Sequence, residues 1–264
     1  MKSRPQARPY RRYRRYDTAT FAGTLETIAR PSFEALTNPR FIATILLIIV
    51  IGVAAWLSLD DRFYVTKISV TGNISTPSLD IAKASGLGGM HIFWVNTGEA
   101  AVQLPHTLPS VKSASVSCQL PAVCSIAVEE RVPVIAWRYG NAVTWIDADS
   151  VAFAARETKK DLNLITIEAM QGPALVPGRL ADRQIVQAAL SVARSMPEIR
   201  HYRYSGAHGL EFDDERGFPV YLGVGQDMSD RVMIWKALHD DLLKRNVQPK
   251  FVDIRYPLAP YYGE

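Results

Sequence analysis

FIATILLIIVIGVAAWLSL, residues 41–59, is a run of nineteen residues without a formal charge, bracketed by Arg40 and by Asp60 and Asp61. A helix of this length rises by about 28 Å, close to the ~30 Å hydrocarbon core of a bilayer. The run begins after forty residues and lacks a small-residue cleavage site behind it, which disfavours a secretory signal peptide. The alternative is a fully buried helix of a soluble domain. We predict a transmembrane helix over 41–59.

The segment before this span, residues 1–40, is strongly basic. It carries nine Lys or Arg against three acidic residues, whereas the residues after the span have a net charge of −2. Because positive charge is retained on the cytoplasmic side of a membrane, we expect a cytoplasmic amino terminus, with the last ~200 residues outside the cytoplasm. The sequence therefore predicts a single-pass protein of the cell (inner) membrane. Its sequence pI near 9.0 reflects the basic tail and does not indicate a nucleic-acid-binding domain.

The basic segment has little capacity to bury a core. Its RPYRRYRRYD stretch, residues 8–17 with their neighbours, contains Arg and Tyr but no aliphatic periodicity, so we expect a disordered tail. Two interpretations stay open: the tail binds anionic lipid head groups or a cytoplasmic protein, or it only sets the orientation of the span. Stacking on single-stranded nucleic acid is disfavoured for a membrane-tethered tail of this size.

The remaining ~205 residues are enough for one large or two small domains. After a short linker at 60–63, the first part predicts the order β-α-α-β-β. The elements are a strand over 64–71, a helix from a Ser75 or Thr76 cap to Gly86, a helix from Asn96 to about Leu104, and a hairpin of residues 113–118 and 124–129.

The hairpin contains both cysteines of the chain, Cys118 and Cys124. A register in which paired residue numbers sum to 242 places Cys118 opposite Cys124 and Val116 opposite Ile126 on one apolar face. Both thiols would then lie close enough for a disulfide, which an environment outside the cytoplasm permits. The alternative is two small buried side chains that stay reduced.

From Val134 the pattern changes to short strands with tight turns, in which Trp137 and Trp145 supply bulky packing. The predicted strands are VIAWRY, AVTWID, VAFAA, residues 164–167, HYRYS, GLEF, FPVYL and FVDIRY. Two helices interrupt them, one capped by Asp182 and ended by Pro197, the other from about Ser229 to Arg245. The sequence therefore predicts an α+β protein whose second domain is mainly antiparallel β with flanking helices.

No motif for catalysis or metal binding is present after the span: H-E-x-x-H, G-x-S-x-G and C-x-x-C are all absent. The run His239-Asp240-Asp241 would lie on a helix, where neighbouring side chains diverge and cannot hold one ion. Gly223-x-Gly225 follows a strand and precedes a helix, as in a dinucleotide-binding loop, but Met228 replaces the third glycine. We therefore predict no enzyme activity, no metal and no cofactor.

Several segments, taken in order, resemble one family. KISVTGNISTPSLDIAKASGL, LPSVKSASV and CSIAVEERVPVIAW look like successive parts of a POTRA domain. VYLGVGQDMSDRVMIWKALHDDLL and FVDIRYPLAPYY extend the resemblance to the bacterial cell-division family FtsQ/DivIB. The most specific motifs are ERVP at 130–133 and VDIRY at 252–256, whereas Ser150 stands where the family usually has glycine. The implied organisation is a tail at 1–40, the span at 41–59, a POTRA domain at 63–132, a β domain at 133–256 and a tail at 257–264.

The resemblance implies a non-catalytic scaffold of the division machinery, enriched at the division septum. It would bind the FtsB- and FtsL-like bitopic proteins and link early to late division proteins, with no nucleic acid and no small-molecule substrate. A secretion or outer-membrane assembly component with a POTRA domain is an alternative, although such proteins carry tandem POTRA units and a barrel. A membrane-anchored cell-wall enzyme is another, although no nucleophile constellation supports it.

The expected partner-binding site is the FVDIRY strand. We expect it to form a sheet edge whose unpaired backbone groups accept a partner strand, and Pro257 and Pro260 would end that edge. In the family this strand contacts FtsB, and Arg255 and Tyr256 align with contacting positions. The predicted site consists of Phe251, Val252, Asp253, Ile254, Arg255 and Tyr256.

Overall fold

A computed structural model describes residues 38–156, 162–171 and 174–263. The chain separates into two units, Met1–Trp56 and Leu57–Glu264. The predicted basic tail lies outside the described residues up to position 37. The fold is α+β, as the sequence predicts.

Helix α1, Pro39–Leu59, contains the predicted span, so the transmembrane-helix prediction is confirmed. Its mean hydropathy of 2.7 and its 21 residues suffice to cross a bilayer. None of its side chains is buried by other parts of the protein, as expected for a helix whose apolar surface faces lipid. Arg40, predicted as part of the tail, lies in its first turn.

The small domain, residues 63–132, has the predicted order β-α-α-β-β. Its elements are β1 (Lys67–Thr71), α2 (Ser78–Ala84), α3 (Thr97–Thr107), β2 (Val111–Gln119) and β3 (Val123–Glu130). The three strands form one sheet in the order β1-β3-β2, with β1 parallel and β2 antiparallel to the central β3. The core between sheet and helices is built on Ile81, Leu104 and Ile126, all fully buried.

The predicted hairpin register is confirmed. Cys118 pairs with Cys124 and Val116 with Ile126. The two cysteines form a disulfide with their Cα atoms 4.1 Å apart, and Cys124 is fully buried. The hairpin tip at 119–123 is therefore closed by a covalent bond as well as by the strand pairing.

The helices of the small domain begin differently from the prediction. Neither Ser75 nor Thr76 caps α2. Pro77 is the N-cap residue and has no side-chain oxygen that could accept a hydrogen bond, while Glu130 holds the preceding loop. The Asn96 cap of α3 is confirmed, since its side chain accepts the backbone N–H of Glu99. The end predicted before Pro105 is wrong, because α3 continues to Thr107 and loses only one helical hydrogen bond at the proline.

The large domain, residues 133–263, is a nine-stranded sheet with two helices. Its elements are β4 (Pro133–Tyr139), β5 (Ala142–Asp147), β6 (Ala152–Ala154), β7 (Ile165–Ala169), α4 (Arg183–Ser195), β8 (His201–Ser205), β9 (Gly209–Asp213), β10 (Pro219–Gly223), α5 (Met228–Lys244), β11 (Phe251–Asp253) and β12 (Tyr261–Gly263). The strand order is β12-β11-β10-β9-β8-β7-β4-β5-β6, and most neighbours are antiparallel. The predicted fold class is confirmed.

Both helices contribute to one apolar core on the sheet. Alternate strand residues such as Ile167, Leu210 and Val252 meet Val192 of α4 and Trp235 of α5, as the period-two pattern of the strands requires. Of the two predicted packing tryptophans, Trp137 joins this core and Trp145 belongs to a separate small cluster. The opposite sheet face is therefore free of helices over most of its width among the described residues.

The carboxyl-terminal prediction requires correction. Strand FVDIRY is predicted over 251–256 as a sheet edge, with a tail at 257–264. The structure ends β11 at Asp253 and adds β12 (Tyr261–Gly263) antiparallel to it, so β11 lies between β10 and β12 and is not an edge. A three-residue strand has no readable periodicity, and only the long-range pairing with β11 defines it.

Glu130, the last residue of β3, holds the loop that precedes α2. The backbone N–H groups of Ile74, Ser75 and Thr76 donate to its carboxylate at 2.9, 2.8 and 2.7 Å. Burial works to raise the pKa of Glu130, but these hydrogen bonds outweigh it and hold the pKa below its usual value. The charged form is therefore favoured, and it fixes this loop.

Arg131, the next residue, joins the small domain to the large one. Its Nη1 donates to Asp147 Oδ2 at 2.6 Å and its Nε to the Pro109 carbonyl at 3.1 Å. Asp147 is buried, and its other oxygen accepts the backbone N–H groups of Asp149 and Val151. The ERVP motif therefore forms the junction between the two domains. Its Glu130 binds the loop before α2 in the small domain, and its Arg131 binds Asp147 in the large domain.

Two further polar contacts cross this junction. Lys112 Nζ lies 3.2 Å from Asp149 Oδ2, and Arg156 Nη1 donates to the Ser75 carbonyl at 3.2 Å. The turn at 147–151 that receives Lys112 contains Ser150, whose φ of 69° lies in the left-handed region that favours glycine. This conformation accounts for the glycine that the family usually has there.

We predict that Arg131→Ala lowers the stability of the protein by about 3 kcal/mol, because Asp147 would remain buried without its cation. Arg138→Ala, which removes an exposed arginine of β4, is the matched control and should cost under about 0.5 kcal/mol. Denaturant unfolding of the detergent-purified protein measures both. Equal stabilities of the two variants would contradict this role of Arg131.

Candidate functional site at the carboxyl-terminal sheet edge

Strand β12 is one of the two outermost strands of the large sheet, and β6 is the other. Within the described chain, β12 has a strand neighbour on one side only, so those backbone groups of Tyr261–Gly263 that point away from β11 are open to pairing. The Gly263 carbonyl is already used, because it accepts the Lys250 N–H at 2.7 Å. Unpaired N–H and C=O groups at a sheet edge are a template for an added strand. The predicted edge property therefore belongs to β12, one strand farther out than the sequence indicates.

The turn between β11 and β12 follows from two buried residues and two prolines. Val252 and Ile254 are fully buried, and the Ile254 N–H donates to the Tyr221 carbonyl of β10 at 3.0 Å. Pro257 and Pro260 then flank a turn that reverses the chain. The prediction that these prolines end the strand is wrong, because β11 already ends at Asp253; the prolines instead flank the turn that returns the chain as β12.

A buried carboxylate connects the two strands. Asp253 is only 1% exposed, and its oxygens lie 3.0, 3.0 and 2.6 Å from the Nε and Nη2 donors of Arg255. The Tyr261 hydroxyl donates to the same carboxylate at 3.0 Å, and Arg255 Nη1 donates to the Ala207 carbonyl at 2.7 Å. The Asp253 cluster, formed by Asp253, Arg255 and Tyr261, therefore holds β12 against β11 and both against the β8–β9 turn.

The electrostatics of this cluster favour its charged form. Burial works to raise the pKa of Asp253, but the hydrogen bonds from Arg255 and Tyr261 outweigh it and lower the pKa below its usual range. In turn, the hydrogen bond to Asp253 raises the pKa of Arg255. The hydrogen bonds from Arg255 and Tyr261 to Asp253 thus form a charged network that links the two strands.

Aromatic rings extend from the edge across the helix-free sheet face. Tyr261 meets Phe251 edge to face at 5.9 Å, Phe251 lies 5.8 Å from Tyr221, and Tyr221 stacks on His208 at 4.0 Å. The Phe251 ring also lies against Gly263, where any Cβ would collide with it. Because Gly263 has no side chain, β12 can pack closely against β11 at the position where the Phe251 ring lies.

The structure treats the six predicted site residues differently. Val252, Asp253 and Ile254 are buried, Phe251 is half-buried, and the Arg255 guanidinium is engaged within the protein. Only Tyr256, 65% exposed, presents most of its side chain to solvent, with the Arg255 guanidinium carbon 5.9 Å from its ring centroid. Beside it, Leu258 and Tyr261 are exposed apolar residues that sequence reasoning missed. The signal for them was the second aromatic pair, YY at 261–262, after Pro260.

The loop at 223–225, whose glycines resemble those of a dinucleotide-binding loop, is occupied by the Arg231 side chain. Arg231 Nη1 donates to the Leu222 carbonyl at 2.6 Å and its Nη2 pairs with Asp227 at 2.9 Å. A Cβ on Gly223 or Gly225 would strike this guanidinium, so both glycines make room for Arg231. His239 pairs with Asp214 at 3.2 Å, and the described residues contain no group of three metal-ligating side chains.

We predict that Asp253→Asn costs about 3 kcal/mol, because Arg255 loses its buried anion. The wild-type contribution of Asp253 is present above its unfolded pKa of about 3.9 and is lost as the pH falls through the lower folded value. The variant should therefore show a shallower loss of stability in acid, measured by denaturant unfolding at several pH values.

Asp213→Asn is the matched control for this prediction. Asp213 pairs with Arg203 on the same sheet face but its side chain is 52% exposed, so its loss should cost under about 1 kcal/mol. Hydrogen exchange at residues 261–263 should accelerate in the Asp253 variant alone. Unchanged exchange there would exclude the Asp253 cluster as the support of β12.

Comparison with known proteins assigns the small domain. Residues 63–131 match the model of the POTRA domain, FtsQ-type. The chain is 25% identical over 235 residues to the cell division protein FtsQ of Chloroflexus aurantiacus, covering 87% of this chain and 84% of that protein. It is 24% identical over 205 residues to that of Streptomyces venezuelae, covering 75% and 73%, and 29% identical over 114 residues to that of Mycobacteroides abscessus, covering 43% and 36%. These matches show that residues 63–131 form an FtsQ-type POTRA domain and that the chain is similar to cell division protein FtsQ over most of its length.

Proposed function

We propose that the protein is a membrane-anchored, non-catalytic scaffold of the bacterial division machinery. It holds FtsB- and FtsL-like bitopic proteins outside the cytoplasm and links early to late division proteins during septum formation. The relatives named cell division protein FtsQ and the FtsQ-type POTRA domain support a role in division. The basic residues before α1 support a cytoplasmic amino terminus.

The observation that carries the partner proposal is the open edge of β12. A strand from an FtsB-like partner adds to this edge and continues the nine-stranded sheet to a tenth strand. The backbone supplies affinity through hydrogen bonds, and neighbouring side chains supply specificity. Because the Asp253 cluster holds β12 in place, the edge is formed before the partner arrives and little ordering entropy is lost on binding.

Three exposed side chains define what the added strand must match. Tyr256, Leu258 and Tyr261 lie around the turn that leads into β12 and present apolar surface next to the edge. Aromatic residues are enriched among the side chains that dominate binding at interfaces. An FtsB-like strand with apolar residues at alternate positions would cover them, whereas Arg255 acts as a positioning residue through Asp253 and Tyr261.

The first test removes β12. The chain ended after Pro260 is co-expressed with the FtsB- and FtsL-like proteins of the same bacterium, and the complexes are purified through a tag on the partner. We expect this truncation to abolish co-purification, and Tyr256→Lys to weaken it by about tenfold, equivalent to ~1.4 kcal/mol. Tyr139→Lys, on β4 and distant in the strand order, is the matched control and should bind normally.

The truncation separates two modes of binding. If the partner adds to β12, its removal abolishes binding. Stronger binding of the truncated chain would instead mean that the partner replaces β12 and pairs with β11, the strand that the sequence favours. Unchanged binding of both variants would place the interface elsewhere.

The second test concerns the role in the cell. A fluorescent fusion should form a band at midcell, and depletion of the protein should produce filaments because septation stops. The fusion truncated after Pro260 should fail to restore division. Uniform membrane fluorescence together with normal division of depleted cells would contradict a role as a division scaffold.

A further inference from the structure

The short helical turn at 91–94 lies directly against the end of the apolar helix. The last residues of α1, Leu57–Leu59, belong to the second unit of the chain, together with the small domain. The His91 imidazole Nε2 lies 2.9 Å from the Leu57 carbonyl, and His91 also pairs with Tyr64 through an isolated β-bridge. A carbonyl in the last turn of a helix has no partner within that helix, so His91 supplies the missing donor.

This turn exposes large apolar side chains. Trp94 is 78% exposed, and Phe93 and Met90 are exposed beside it. Phe93 stacks on Phe63 at 5.8 Å, so aromatic surface continues from the linker after α1 onto the small domain. A soluble domain rarely gathers Trp, Phe and Met on one exposed turn unless the patch is covered in use.

The hairpin tip presents more apolar surface at the same end of the small domain. Strand β1 begins at Lys67, three residues after Tyr64, and Lys67 pairs with Val123 at the tip. Leu120 and Val123 are exposed there, and the Cys118–Cys124 disulfide closes the loop that carries them. The opposite end of β1 leads to the loop at 74–76, which Glu130 and Arg156 tie to the junction with the large domain.

Chain length limits how far this end can lie from the bilayer. Only residues 60–63 separate the end of α1 from Tyr64, and five extended steps reach at most about 18 Å. The structure makes the distance shorter still, because Tyr64 also donates from its hydroxyl to the Ser58 carbonyl at 3.4 Å. The interfacial layer of a membrane, where Trp and Tyr concentrate, begins where an apolar helix ends.

We propose that this end of the POTRA domain is a membrane-binding surface: the turn at 91–94 and the hairpin tip at 119–123 insert their apolar side chains into the interfacial layer of the membrane that α1 crosses. The occupant is lipid, because the surface is continuous with the span and its aromatic residues are of the kind that membrane interfaces favour. Of the earlier conclusions, the proposal requires only that α1 crosses a membrane, and it does not depend on the role in division. It adds a second attachment to the bilayer that resists tilting of the POTRA domain.

The test uses tryptophan as a depth probe in the full chain. The protein is reconstituted in nanodiscs of phosphatidylcholine and phosphatidylglycerol, with or without bromine on the acyl chains, because bromine quenches tryptophan only on contact. Trp56 lies in the span and is replaced by Phe in every variant. Trp137, Trp145 and Trp235 are buried in the large domain and give a constant background.

The Trp56→Phe protein should lose most of its Trp94 emission in brominated nanodiscs, and adding Trp94→Phe should remove that loss. In the doubly substituted background, Leu120→Trp reports on the hairpin tip and should be quenched like Trp94. Ile74→Trp is the matched control, because Ile74 is 77% exposed but lies at the junction end of the domain, and its emission should not change.

Each result decides the proposal. Quenching at 94 and 120 but not at 74 supports insertion of this end of the domain. Equal emission from Trp94 in the two kinds of nanodisc would overturn the proposal, since Trp94 would then lie in water or under a protein partner. Equal quenching at 94 and 74 would overturn it as well, because the domain would then lie flat on the membrane without a specific inserting end.

Discussion

The pairing of a buried carboxylate with a guanidinium from the neighbouring domain is the constraint on which the arrangement of this protein depends. Asp147 belongs to the large sheet, but its cation, Arg131, comes from the end of the small domain. A buried charge without its partner costs several kcal/mol, so neither domain is complete alone at this point. On the side of the small domain, the neighbouring carboxylate of Glu130 accepts hydrogen bonds from the loop at 74–76. Two adjacent residues of opposite charge therefore act as a joint.

The same device recurs at the far edge of the large sheet. Asp253 is buried there with Arg255, and the Tyr261 hydroxyl completes its shell. A three-residue strand such as β12 has too few backbone bonds to stay ordered without help. The buried Asp253 carboxylate supplies this additional stabilisation, and the turn between the two prolines brings the Tyr261 hydroxyl within hydrogen-bond distance of it. The edge that a partner would extend is thus a product of side-chain electrostatics as much as of strand pairing.

Sequence reasoning found what local periodicity encodes and missed what long-range contacts decide. Alternation fixed the hairpin register, including Cys118 opposite Cys124, and the uncharged run fixed α1. Strand β12 could not be predicted from the sequence, because three residues show no periodicity. The ion pair of Arg255 with Asp253 could not be predicted either, because the sequence around an arginine does not show which acceptor it binds. The helix end at Pro105 was misread, since tertiary packing tolerates one lost hydrogen bond. The contact of His91 with Leu57, 34 residues apart, had no local signal at all.

The charged joint at Glu130 and Arg131 has a consequence for assembly in a membrane. A flexible linker would let the sheet edge sample a wide volume, and a partner of almost any length could find it. A stiff connector instead gives a high effective concentration only to a partner strand that is presented at one position. Strands presented at other positions have an effective concentration near zero. In the proposed function, the joint therefore restricts partners to those that present their strand at one position relative to the POTRA domain.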